Sequence, residues 1–191
     1  MVAPMIKRIC DIVLAVALMA LLFIPMAAIA VFIRLVSKGP AIFWTDRVGV
    51  NNRIFKMAKF RTMKLNTPQV ATHLMKDPHE YLIPGGGALR KYSLDELPQL
   101  FNVLKGDMSF VGPRPALFNQ DDLIKLRTEK GVHTLIPGVT GWAQVNGRDE
   151  LAIPVKVEFD AQYLRNRSLL LDVRILCITV IKVIKREAVS H

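Results

Sequence analysis

Residues 12–33 read IVLAVALMALLFIPMAAIAVFI, 22 positions from Ile12 to Ile33 without a charged or strongly polar side chain. Lys7, Arg8 and Asp11 precede the run, and Arg34 and Lys38 follow it. As a helix it measures about 33 Å, enough to cross a hydrocarbon core of about 30 Å. A single spanning anchor is therefore one reading. A cleaved signal peptide fits poorly, because the run is long for a signal's apolar segment and no small-x-small site leads into a polar mature start. The third reading is a helix that enters the membrane and turns back. Pro25 removes one N–H and frees the carbonyl of Leu21, so a kink or break is expected there. The arms on either side, Ile12 to Ile24 and Pro25 to Ile33, are about 20 and 14 Å long, and neither crosses alone. Basic residues flank both ends, so the positive-inside rule selects no orientation.

Outside this run the chain is basic. Its 191 residues carry 26 Lys and Arg against 16 Asp and Glu, a formal charge of +10, with 51% hydrophobic residues and a mean hydropathy of +0.29. Such hydrophobicity excludes intrinsic disorder. Residues 1–34 hold only Lys7, Arg8, Arg34 and Asp11 among the charges, so the excess of positive charge belongs to the remainder. A surface of that sign suits anionic lipid headgroups or phosphorylated ligands. Cys10 and Cys177 lie at opposite ends of the chain, which indicates neither a disulfide framework nor a cysteine zinc site.

After Gly39-Pro40, the β-rich runs Ile42 to Val48 and Arg53 to Phe60 flank Gly49-Val50-Asn51-Asn52 and read as a hairpin. Lys59 and Arg61 share the parity of Phe55 and Met57, and by themselves read as edge-strand charges that deter aggregation. Pro84-Gly85-Gly86-Gly87 reads as a flexible hinge, since it matches neither the P-loop nor the dinucleotide fingerprint. Helical patterning returns from Leu94, from Leu117 to Glu129, around Val155 to Leu164, and from Leu169 to Ile184. The last segment carries Asp172, Arg174 and Lys182 and suits a core or membrane-surface helix. Residues 137–148, PGVTGWAQVNGR, read as an ordered loop with tight turns.

Two segments have the residue types for chemistry. In Ser93-Leu94-Asp95-Glu96-Leu97 two adjacent carboxylates lie between Arg90 and Arg114. Ser93 and Glu96 also fit an N-terminal capping box, with Asp95 favourable to the helix dipole. The readings are compatible, because a helix N-terminus attracts anions and favours the ionised carboxylate that a nucleophile requires. In Gly112-Pro113-Arg114-Pro115 an arginine stands between two residues of fixed φ, which mounts its planar fork on a stiff backbone suited to bidentate phosphate binding.

Together with Lys7-Arg8, Asp11, the proline-broken apolar helix, Lys59-Phe60-Arg61-Thr62-Met63, residues 106–115 (GDMSFVGPRP) and residues 137–148, these segments resemble the bacterial sugar transferases known as monotopic phosphoglycosyl transferases. The likeness covers essentially the whole chain. It implies a small α+β, mostly helical fold: a re-entrant membrane hairpin over residues 1–36 containing Arg8 and Pro25, and a membrane-associated catalytic domain over residues 37–191 with a small β-hairpin and interfacial amphipathic helices. It implies a location on the cytoplasmic face of the bacterial inner membrane. The reaction implied is transfer of a phosphosugar from a UDP-sugar to polyprenol phosphate, such as undecaprenyl phosphate, releasing UMP through a covalent aspartyl intermediate with Mg²⁺. Asp95 matches the family nucleophile and Glu96 its dyad partner, both candidates to hold the metal. Lys59, Arg90 and Arg114 match positions around the diphosphate, and Arg148 and Asp160 match the nucleotide side. Small members often use N-acetylated amino or deoxyamino hexoses, and the resemblance leaves the oligomeric state open. Members often carry Ser before the membrane proline, where its hydroxyl bonds a freed carbonyl; here Ile24 stands there.

The residue types agree with that chemistry independently. Phosphoryl transfer asks for positioning and charge neutralisation more than covalent chemistry, and Mg²⁺ needs only one or two protein carboxylates beside phosphate and water. Two half-reactions at one site predict ping-pong kinetics. A second reading is a membrane-tethered basic protein that binds anionic lipid or nucleic acid, its carboxylates merely capping a helix. The chain shows no aromatic-basic nucleic-acid module.

Overall fold

A computed structural model describes residues 4–67, 78–147 and 151–185. The apolar run lies inside one helix, α1 (Pro4–Val36), assigned without a break at Pro25. The hydrogen-bonded helix thus continues through Pro25, since a helix that loses one hydrogen bond at a proline retains those on either side. Ile24 is 78% exposed. Asp11, Ala15 and Ile33 are buried along one stripe of α1, while Leu21, Phe23 and Ile24 are exposed. A helix this long, apolar and uncovered makes the chain a membrane protein.

Both ends of α1 are attached to the same globular body. Near its start, the Lys7 ammonium donates to Asp172 at 2.6 Å, Arg8 donates to the carbonyls of Val103 and Leu104, and Asp11 accepts from the Phe110 N–H at 3.2 Å. Near its end, Ile33 packs with Phe60, Ile83 and Leu89, and the next residue but three, Ser37, accepts from Arg61 through its hydroxyl and its carbonyl. Arg61 also donates to the Pro40 carbonyl and is 3% exposed. It is a buried clamp on the exit from α1, not an edge-strand charge.

The hairpin forms as its alternation indicates: β1 (Ile42–Val48) pairs antiparallel with β2 (Ile54–Phe60), Ile42 opposite Phe60 and Val48 opposite Ile54. The connection places Asn51 and Asn52 at φ 52° and 58°, conformations that asparagine tolerates. After β2 the chain pairs Met63 with Leu82 and leads into α2 (Gly86–Lys91). Here the glycine run is not a hinge. Gly85 has φ 74°, Gly86 is buried, and a Cβ on Gly86 would lie 2.4 Å from the Thr62 carbonyl oxygen. Glycine permits the turn and the close approach.

Next comes α3 (Gln99–Lys105), which packs beside β2 and is bonded to it by one side chain. The Asn102 carboxamide accepts from the Ala58 N–H at 2.9 Å and donates to the Lys56 carbonyl at 2.7 Å, imitating a strand on the open edge of β2. Two short strands, β3 (Ser109–Val111) and β4 (Gly138–Thr140), pair in parallel. They are enclosed by α4 (Asp121–Glu129), α5 (Trp142–Val145), α6 (Ile153–Asn166) and α7 (Leu169–Ile184). The principal core gathers Met57, Leu100, Val103, Met108, Phe110, Val132, Ala161 and Ile175 against Ala15 of α1. The fold is thus the expected mostly helical α+β arrangement. On α7, Ile175 and Asp172 face inward, whereas Leu170, Val173, Val180 and Ile181 are exposed.

Asn102 holds α3, and with it the segment just before α3, against β2. Asn102→Ala leaves two backbone groups without their side-chain partner, and is expected to cost about 3 kcal/mol. The midpoint of detergent-solubilised protein in a denaturant titration measures this; an unchanged midpoint would show that the pairing contributes nothing.

Candidate active site

β2 brings Lys59 to a turn formed by residues 94–96, which precedes α3. The Lys59 ammonium lies 2.7 Å from Glu96 Oε1 and 3.4 Å from Asp95 Oδ2. From the other side, Arg114 Nη2 lies 3.0 Å from the same Glu96 oxygen. The capping-box reading does not hold. Ser93 has φ 54° and makes no side-chain cap, and Leu94–Glu96 is a single 3-10 turn in which the Glu96 N–H meets the Ser93 carbonyl at 3.2 Å. Glu96 turns instead to two cations, because charge-assisted bonds in a half-buried site are stronger than a neutral cap. Ser93, two residues before Asp95, lies in the left-handed region, a locally strained conformation for a non-glycine residue.

Electrostatics tie Arg90, in the last turn of α2, to the same cluster. Burial lowers its pKa from the ordinary arginine value, the Asp95 and Glu96 charges oppose that shift, and Arg114 adds to it. Lys59 and Arg114 contact the Asp95-Glu96 pair directly, while Arg90, whose Nη1 lies 3.5 Å from Met63 Sδ, is coupled to it electrostatically. Asp95 is 7% exposed. The excess cation gives the cluster a positive potential, the sign required to hold a diphosphate.

Two of the sequence candidates do not line this cluster. Arg148 lies outside the described residues. Asp160, on α6, is 1% exposed and ion-paired with Arg127 at 2.6 Å. Arg8 is also placed differently from a purely membrane role: it satisfies two carbonyls at the C-terminal end of α3, where a cation also suits the helix dipole. Pro25 is exposed within α1. Asn102 and Arg127 were not legible as site-forming residues, since Asn102 looks like any polar helix position and Arg127 like a solvated charge.

The segment carrying Arg114 begins at a crowded crossing, in which a Cβ on Gly112 would lie 2.3 Å from the Ile136 carbonyl oxygen, and one on Gly141 2.1 Å from that of Gly112. Glycine is needed here for space.

The structure thus joins a long, uncovered apolar helix to a carboxylate pair held by cations. The chain belongs to the bacterial sugar transferase family, whose profile matches residues 2–186. It is 40% identical over 187 residues to an uncharacterized sugar transferase, EpsL, of Bacillus subtilis, with 97% of this chain and 90% of the relative covered. Identity is also 40% over 187 residues to the UDP-glucose:undecaprenyl-phosphate glucose-1-phosphate transferase of Escherichia coli, covering 93% of this chain. The UDP-N-acetylgalactosamine-undecaprenyl-phosphate N-acetylgalactosaminephosphotransferase of Aeromonas hydrophila is 41% identical over 181 residues, covering 92% of this chain. The chain spans 40% and 43% of the length of these last two.

Glu96 provides a pH test of the cluster. Burial alone would raise its carboxyl, but the Lys59 ammonium and the Arg114 guanidinium reverse this and hold it well below the usual carboxylate range. A group whose folded pKa lies below its unfolded value of about 4.3 contributes stability above that value, and loses it as pH falls toward the folded pKa. Between about pH 5 and about pH 3, wild-type protein should therefore lose thermal stability more steeply than Glu96→Gln. Parallel melting curves across that range would contradict the pairing.

Proposed function

We propose that this chain transfers a sugar 1-phosphate from a UDP-sugar to polyprenol phosphate, giving a polyprenyl diphosphate sugar and UMP. The observation that carries the reading is the adjacent Asp95-Glu96 pair enclosed by Lys59, Arg90 and Arg114. The Escherichia coli and Aeromonas relatives, named as transferases from UDP-sugars to undecaprenyl phosphate, support the same donor and acceptor classes.

In the first half-reaction an Asp95 carboxylate oxygen attacks the β-phosphorus. The bond from that phosphorus to the bridging oxygen breaks, UMP leaves, and an aspartyl-phosphosugar remains. Lys59, Arg90 and Arg114 exchange part of their contact with the carboxylates for the diphosphate oxygens, and the positive potential favours the extra negative charge of the transition state. In the second half-reaction a phosphate oxygen of the polyprenol phosphate attacks the same phosphorus, which breaks the acyl phosphate bond and restores Asp95. Glu96 orients that acceptor phosphate.

Asp95 and Glu96 are also suited to Mg²⁺. They offer hard oxygen donors, and the Lys59 and Arg114 bonds fall on Oδ2 and Oε1, away from the second oxygen of each group. Among the described residues no set of three or more potential ligands comes together, which fits a cation that takes most of its ligands from phosphate and water. When bound, the cation supplies neutralisation of phosphate charge.

The proposed topology is re-entrant, with α1 entering and leaving on the cytoplasmic face of a bacterial inner membrane. Support comes from the attachment of Lys7, Arg8 and Asp11 at one end of α1, and of Ile33 with the Arg61–Ser37 clamp at the other, to one globular body. A spanning helix would separate those ends by the bilayer. The exposed apolar face of α7 and the exposed Trp44 and Phe101 suit contact with lipid. In this reading residues 1–36 form the membrane segment, residues 37–191 form the catalytic domain, and the sugar is an N-acetylated amino or deoxyamino hexose.

Incubation with a UDP-sugar labelled in the β-phosphate should leave label on wild-type protein, and Asp95→Asn should abolish both label and UMP release. Normal turnover by that variant would overturn the assignment. A panel of UDP-sugars read by UMP release identifies the sugar, and a chelator should stop the reaction until Mg²⁺ is restored. A cysteine added at the N-terminus should resist impermeant reagent applied from outside the cell; labelling would establish a spanning helix instead.

A further inference from the structure

Proline supplies no N–H, so the segment carrying Arg114 cannot build an ordinary strand ladder. It is held by its carbonyls. The Pro113 oxygen accepts from the Gly138 N–H at 2.9 Å, that of Arg114 from Arg127 Nη1 at 2.8 Å, that of Pro115 from Arg47 Nη1 at 3.3 Å, and that of Ala116 from the Val48 N–H at 2.9 Å. Four consecutive carbonyls are thus fixed by three separate parts of the chain: β4, α4 and the end of β1. Only one of the donors, Arg127, acts on the residue whose guanidinium meets Glu96.

Arg127 is itself fixed. Its Nε and Nη2 both donate to Asp160 Oδ2, at 3.0 and 2.6 Å, and the two residues are 8% and 1% exposed. Burial raises the Asp160 carboxyl and Arg127 opposes that shift. Desolvating an ion pair is weak support for stability, because the desolvation penalty offsets much of the attraction. The pair does fix geometry: the planar fork spends two N–H groups on α6 and one on the Arg114 backbone.

Building on the function proposed above, we propose that Arg127 and Asp160 are positioning residues for Arg114: Asp160 orients the Arg127 fork, Arg127 holds the Arg114 carbonyl, and the Arg114 guanidinium is thereby kept on the phosphate-binding cluster. Asp160 then acts on the reaction without touching the nucleotide. Arg114 is the group in contact with substrate, and the ion pair transmits the placement of α4 and α6 to it.

The test is a double-mutant cycle on the full-length protein in detergent or nanodiscs, with UMP release as the readout. Arg127→Lys retains the charge opposite Asp160 but loses the fork, and Asp160→Asn retains the shape but loses the charge. Each is expected to lower kcat/KM for the UDP-sugar about 10- to 100-fold in the wild-type background, the scale of a small misplacement of a binding group. In an Arg114→Lys background the same changes should have an effect of less than about threefold, because the group they position has already been altered. UMP inhibition should be equal in Arg114→Lys and in Arg114→Lys with Asp160→Asn. Where the lysine background is too slow for steady state, single-turnover UMP release on stoichiometric enzyme gives the same comparison. Equal losses in both backgrounds would overturn the proposal, as a purely structural role predicts. Weaker UMP inhibition from Asp160→Asn in the lysine background would overturn it in favour of direct nucleotide contact. The proposed reaction is judged separately, since it fails only if Asp95→Asn retains turnover.

Discussion

A long apolar helix attached at both ends to one globular body is the constraint on which the rest of this structure depends. At the start of α1, Arg8 reaches the C-terminal carbonyls of α3, Lys7 reaches Asp172 on α7, and Asp11 holds the β3 backbone. At its end, Ile33 and the Arg61 clamp meet the far end of β2. α3 is a seven-residue helix, about 10 Å long, with Arg8 at one end and the Asp95-Glu96 turn just before the other. The apolar helix and the carboxylate pair are therefore linked through α3.

Electrostatics at that site follow from the cations that surround the dyad. Glu96 is shared by Lys59 and Arg114, brought from opposite sides by β2 and by the proline-flanked segment after β3. A cluster of three cations and two carboxylates stays compact only while each charge has a partner, and it gains from an anionic ligand that spreads the excess positive charge. The basic character of the whole chain thereby has a local meaning. Arg8, Arg61 and Arg127 satisfy backbone carbonyls and buried groups, whereas Lys59, Arg90 and Arg114 form the cluster at the dyad.

Patterns carried by neighbouring residues were legible without coordinates. The alternation of β1 and β2 marked Ile42 to Val48 and ended the second strand at Phe60, and the late helix follows the expected bounds Leu169 to Ile184. The parallel pairing of β3 with β4 was not legible, because three-residue strands leave no periodicity to read. The glycine run before α2 misled because glycine serves both mobility and close approach, and only the Thr62 carbonyl beside Gly86 distinguishes them. Ser93 and Glu96 misled for a similar reason: the capping-box spacing is real, but Lys59, distant in sequence, offers the carboxylate a stronger partner.

What the amino-acid sequence by itself determined is the set of local commitments: an apolar helix interrupted in composition by Pro25, a hairpin, two adjacent carboxylates, and an arginine stiffened by two prolines. Each depends on residues within a few positions, where backbone geometry and hydrophobic periodicity act directly. Only the tertiary structure decided which charges serve the site and which serve the frame. Lys59 and Arg61 stand two residues apart on one face, yet one meets the dyad and the other clamps the exit of α1. Asp160 and Arg127, 33 residues apart, are brought together as a buried ion pair. Partners for charged groups are chosen by burial and by distance through space, and neither is encoded in spacing along the chain.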